Sequence, residues 1–165
     1  LRETFANGTL RNWTYSAATN ILSATARITQ VPSTGLVAFS QIHTKQSSAP
    51  PLMLGYQYVP QTGYGNVVIA FRGKPTDSDS QKIVLSSKIK LNQDFSYEVH
   101  LAKNGTLTIG LIEPNGTIKR WQGKLNTAWQ SHQLYFKAGI YTLDNSGYET
   151  EAGGATFKQL KIEHR

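Results

Sequence analysis

Two stretches concentrate the side chains that could move protons and hold an anion. In Gln133–Tyr141, Leu134, Phe136, Ala138 and Ile140 fall on one face at a period of two; Gln133, Tyr135, Lys137 and Tyr141 fall on the other. In Val37–Lys45, Gln41, His43 and Lys45 share a face, and Ile42 points away from it. Such strands pack one face on a core and show the other to solvent. Set side by side, the two polar faces would line one groove. Tyr141 and His43 would form an acid/base pair, and Lys137 and Gln41 would supply donors for an anion. The plain alternative is an exposed sheet with hydrogen-bonding side chains.

The elements that must position these residues read as strands. Ile21–Val31 is rich in small and β-branched residues, and Pro32-Ser33-Thr34-Gly35 turns the chain into the Val37 strand. Leu52–Val59 carries Tyr56 and Tyr58 on one face, and Val67–Phe71 is apolar on both. Phe95–Leu101, Thr106–Ile112 and Thr117–Trp121 form a meander. Asn104-Gly105 predicts a two-residue hairpin turn with positive φ at both positions. Leu1–Phe5 reads as the middle of a strand, Asp144–Tyr148 as part of a loop, and Ala155–Glu163 as the closing strand. No segment has the caps and periodicity of a helix of two turns. About ten short strands at even spacing predict an all-β jelly-roll β-sandwich of two antiparallel sheets. Without a linker or repeat, residues 1–165 read as a single domain.

The 165 residues include no cysteine, so no disulfide framework and no thiolate metal site is expected. The four histidines lie far apart, and Asp77-Ser78-Asp79 lacks the further carboxylate of a tight calcium site. The net charge of +7 favours a polyanionic partner. Its Lys and Arg residues are scattered, without a basic block or amphipathic helix, which argues against nucleic acid and membrane. A paired-carboxylate glycosidase strand and a Gly-x-Ser-x-Gly elbow are both missing from the sequence. Sequons occur at Asn7, Asn12, Asn104 and Asn115; three are Asn-Gly-Thr turns that hairpins favour for their own reasons.

Gln41-Ile42-His43 and Tyr135-Phe136-Lys137-Ala138-Gly139-Ile140-Tyr141 resemble two signature motifs of the family 7 polysaccharide lyases, the alginate lyases. Leu1-Arg2-Glu3 resembles the end of that family's Arg-(Ser/Thr)-Glu-Leu-Arg-Glu motif, and the order of the three agrees. The resemblance implies a jelly roll with a substrate groove across one concave sheet. It implies endolytic cleavage of a (1-4)-linked uronate chain by β-elimination, with no metal or other cofactor. Gln41 and Arg2 would neutralise the carboxylate, His43 or Tyr141 would take the C5 proton, and Tyr141 would protonate O4. Lys137 and Arg2 would lower the tyrosine's pKa. Lys137, Lys45, Tyr135, Arg72, Tyr56 and Tyr58 are the expected substrate contacts. Ile42 is associated in the family with tolerance of guluronate.

Two departures bear on this reading. The first arginine of the Arg motif, and the family's N-terminal strands, would lie before Leu1. Leu143 stands where family members often have Gln. The protein is expected to be secreted and monomeric, with alginate as its partner. The rival readings are a lyase for another polyuronate, such as glucuronan, and a non-catalytic sandwich that binds acidic polysaccharide.

Overall fold

Alternation of apolar and polar residues produces ten strands in the computed structural model, which describes residues 1–144 and 147–165. The strands are β1 (Asn20–Gln30), β2 (Leu36–Thr44), β3 (Leu52–Val59), β4 (Tyr64–Phe71) and β5 (Gln81–Ile89). They continue with β6 (Asp94–Leu101), β7 (Thr106–Ile112), β8 (Ile118–Lys124), β9 (Leu134–Tyr141) and β10 (Gly154–His164). Among the described residues the one helical element is a 3-10 turn, Thr127–Ser131. The loop expected over Asp144–Tyr148 includes Asn145 and Ser146, which lie outside the described residues.

The strands form two five-stranded antiparallel sheets, ordered β5-β4-β3-β2-β9 and β10-β1-β6-β7-β8. Residues at every second position interdigitate between them. Leu22 and Ile28 of β1, Val99 of β6 and Ile109 of β7 meet Ile42 of β2, Leu54 of β3, Ile69 of β4 and Phe136 of β9. Each is essentially inaccessible to water. Burying each of these side chains contributes about 1.5–3 kcal/mol. The aromatic layer is ordered by edge contacts, such as Phe39 to Tyr97 at 5.2 Å between centroids.

The meander folds as expected, but its turn does not. Gly105 has φ +84°, while Asn104 is absent from the positive-φ residues. The Gly105 N–H donates to the Ala102 carbonyl, and the Ala102 N–H donates to the Thr106 carbonyl. This is a longer hairpin loop with a single left-handed glycine. The Asn104 side chain accepts from the Thr106 N–H at 2.9 Å, which holds Asn104 out of the left-handed region. The same arrangement recurs at Asn115-Gly116-Thr117 and Asn7-Gly8-Thr9.

The Leu1–Phe5 segment makes less strand than the sequence predicts. It contributes isolated bridges, Arg2 to Lys137 and Thr4 to Leu10. The Leu1 N–H donates to the Ala138 carbonyl, and Glu3 N–H to the Phe136 carbonyl. Trp13 then pairs with Leu134. Together these two pieces cover the outer edge of β9, which would otherwise present open backbone groups.

Candidate active-site groove

The expected meeting of the two polar strand faces is present. β2 and β9 are antiparallel neighbours, with Gln41 opposite Lys137 and His43 opposite Tyr135. Arg2 lies opposite Lys137 on its other side, and Met53 opposite Gln41. One row of the sheet therefore runs Met53, Gln41, Lys137, Arg2.

Irregular register bends the sheet beside this row. From Leu54 to Gly55 β3 advances one residue, where β2 advances two, from Ser40 to Ala38. Over that same step β9 advances three, from Ala138 to Tyr141. Extra residues on successive strands increase local twist and curvature. Gly139, at φ +137°, sits in the widest step. The backbone conformation there favours glycine, and a Cβ would lie 3.2 Å from the Leu1 nitrogen, a tight contact.

The result is a groove of about 640 Å³ whose lining includes Gln41, His43, Arg72, Lys137, Tyr141 and Leu143. Small residues, Ala38, Ala70 and Gly139, leave it room. Leu143 adopts φ +55°, a left-handed conformation costly for leucine.

His43 is half-buried, and its orientation is fixed from several sides. Nδ1 lies 2.8 Å from the Thr44 carbonyl and 3.1 Å from the Tyr135 hydroxyl. The two rings stack at 5.3 Å with 24° between planes. Burial lowers the imidazole pKa below its ordinary value; the Thr44 contact opposes this, and the charges of Lys137 and Arg2 reinforce it. His43 is therefore held neutral over a wider pH range than a free imidazole. The Gln41 Oε1 is buried without a hydrogen-bond partner. Tyr141 is 54% exposed at the rim, opposite Ala38.

The remaining expected contacts divide. Arg72 lines the groove, and its Nη1 donates to the Asp77 carbonyl. Arg2 does not line it. Its guanidinium donates to Asn12 Oδ1 and lies 3.7 Å above the Tyr135 ring centroid, with Nε buried and unpartnered. Its contacts describe a cation placed behind Tyr135 rather than a donor inside the groove. Tyr135 is 7% exposed and touches His43, so it supports the groove instead of lining it. Lys45 is exposed at the end of β2, outside the groove lining.

Tyr56 and Tyr58 are corrections. Tyr56 is completely buried in the inter-sheet core, where its hydroxyl donates to the Ile89 carbonyl at 3.1 Å. Tyr58 is partly buried against the same core. The face they share is the inner one, because it continues Leu52 and Leu54; the groove face of β3 carries Met53. Sequence reasoning overlooked Met53 and Ala70, and apolar side chains carried no signal for a polar groove. Among the described residues there is no cluster of three or more His, Cys, Asp or Glu that could hold a metal ion.

Fold and groove together define a β-sandwich of the jelly-roll kind, with a cationic cleft across one sheet. The alginate lyase family model matches residues 1–164. The chain belongs to this alginate lyase family. An alginate lyase structure from Pseudomonas aeruginosa superposes with a TM-score of 0.88 at 36% identity, covering 99% of this chain and 72% of that one. The alginate lyase structure from Klebsiella pneumoniae superposes at 0.78 with 25% identity, over 89% of this chain and 60% of that one. An alginate lyase described as a member of polysaccharide lyase family 7 shares the fold, with a TM-score of 0.80 at 20% identity over 99% of this chain and 69% of that one. A curated alginate lyase of Klebsiella pneumoniae is 26% identical over 170 residues. That match takes in 87% of this chain, which spans about half of the relative's length, 54%.

Proposed function

We propose that this protein is a secreted alginate lyase that cleaves within the polymer by β-elimination. The observation that carries the reading is the convergence of Gln41, His43, Lys137 and Tyr141 in one open groove of a family member. The groove carries cations in a chain whose net charge is +7, which suits a polyuronate.

The C5 proton of a uronate is barely acidic while the neighbouring carboxylate keeps its charge. The Gln41 amide and the Lys137 ammonium are placed to stabilise the charge that develops on that carboxylate, the largest single lever on such a step. His43 Nδ1 lies beside the Thr44 carbonyl and also accepts from the Thr44 N–H at 2.9 Å; in the tautomer that carries its proton on Nδ1, Nε2 keeps its lone pair, and the depressed pKa keeps the ring neutral. His43 then removes the C5 proton, and the electron pair becomes the C4–C5 double bond. The C4–O4 bond breaks, and Tyr141 gives its proton to O4. For epimers that present C5–H to the opposite ring face, the phenolate form of Tyr141 takes the C5 proton and passes it to O4 as the C4–O4 bond breaks. Ile42, wholly buried opposite Leu52 and Phe136, influences epimer choice only by shifting Gln41 and His43.

The test is turnover on alginate, polyguluronate, polymannuronate and glucuronan, with products resolved by size. Unsaturated oligomers of intermediate length from alginate are expected. Product from glucuronan alone would make the protein a lyase of another polyuronate. Binding without product would make it a carbohydrate-binding sandwich.

A further inference from the structure

We propose that Glu3 and His164 form a buried positioning pair, which docks the N-terminal segment on β9 and thereby holds Arg2 against Tyr135 and Tyr135 against His43. Neither residue lines the groove. The predicted effect on turnover rests on the lyase reading above; the effect on His43 does not.

Glu3 is 5% exposed, and its carboxylate is the hub of four contacts. Oε1 accepts from His164 Nε2 at 2.6 Å and lies 3.5 Å from Arg11 Nε. Oε2 accepts from Trp13 Nε1 at 2.8 Å and from the Phe136 N–H at 3.1 Å. That last bond satisfies a backbone donor on the edge of β9 with a side chain.

His164 is held at both ring nitrogens. Nδ1 lies 2.6 Å from Asn20 Oδ1. Asn20 Nδ2 donates to the Ala18 carbonyl at 2.8 Å, which turns Oδ1 toward the ring. Both ring nitrogens thus face side-chain oxygens. Glu3 and His164 are a contact pair in a nearly dry site, where losing one partner leaves the other's polar group unsatisfied.

The path from this pair to the groove is short. Arg2 adjoins Glu3 and projects to the other face, where its guanidinium lies 3.7 Å over Tyr135. The Tyr135 hydroxyl lies 3.1 Å from His43 Nδ1. Charged and titratable groups around His43 are Tyr135, Lys137 and Tyr141 on β9, Arg2 on the N-terminal segment and Arg72 just after β4. Around the pair, the further charge is Arg11. Arg2 helps to keep the His43 pKa low, so loosening Arg2 raises it.

The experiment is an NMR titration of the His43 ring in the full chain, wild type against Glu3→Gln, alongside alginate turnover. Glu3→Gln is expected to move the His43 midpoint upward and to lower kcat by about tenfold, with KM within about twofold. An unchanged His43 midpoint in folded Glu3→Gln overturns the proposal, whatever its kcat. If that variant does not fold, Glu3→Asp keeps the charge and shortens the reach, and is read by the same midpoint. A wild type that consumes no alginate would overturn the lyase reading alone, since the titration needs no substrate.

Discussion

The Tyr135 hydroxyl sits 3.1 Å from His43 Nδ1, with the two rings stacked and the Arg2 guanidinium 3.7 Å over the tyrosine ring. The His43 ring is thus held by a neighbour on the adjoining strand. Tyr135→Phe keeps the stack and removes the polar contact. Loss of one such hydrogen bond, about 1 kcal/mol, corresponds to a roughly fivefold fall in kcat with KM nearly unchanged. Steady-state kinetics on alginate check this, and an unaltered kcat would remove Tyr135 from the account.

The pH dependence has a definite sign. In the proposed mechanism His43 acts as a base when neutral, and burial with Lys137 and Arg2 nearby lowers its pKa. The rising limb of kcat/KM against pH should therefore lie below about 6.5, the ordinary imidazole value. Lys137→Met removes one of the charges and should move that limb upward. A wild-type limb above the ordinary value would contradict the assignment of His43.

Gly139→Ala tests the bend in β9. An alanine there must adopt φ near +137° and crowd the Leu1 nitrogen. Strain of this kind costs about 1–3 kcal/mol. The expected outcome is a lower Tm together with a fall in kcat, because Lys137 and Tyr141 flank the bend. Thermal unfolding and turnover measured on the same sample decide it.

Tyr56→Phe tests the corrected placement of that residue. The variant loses the bond to the Ile89 carbonyl inside the core. Stability should drop by about 1 kcal/mol while KM for alginate stays put. A raised KM at unchanged stability would return Tyr56 to the groove.

The sequence made the strands legible because alternation is local. Phe95, Tyr97 and Val99 announced an inward face, and that face is buried. Period two cannot say which of two mixed faces is inward, so Tyr56 and Tyr58 were read as groove residues although their strand continues Leu52 and Leu54 into the core. The pairing of Gln41 with Lys137 was legible from two polar faces and a resemblance. The depth of the groove was not, because it depends on register steps that differ between β3, β2 and β9. Arg2 was visible as a charge, but its attachment to Asn12 and Tyr135 needs the chain folded. The Glu3–His164 contact joins opposite ends of the chain, and no spacing rule reaches that far.

The most direct measurement is the ultraviolet absorbance of the new C4–C5 double bond during incubation with alginate, for the wild type and for Tyr141→Phe. The account predicts a steady rise for the wild type and a loss of at least about a hundredfold in kcat for the variant, the scale of removing a positioned proton donor. A Tyr141→Phe protein with near-wild-type kcat would contradict it.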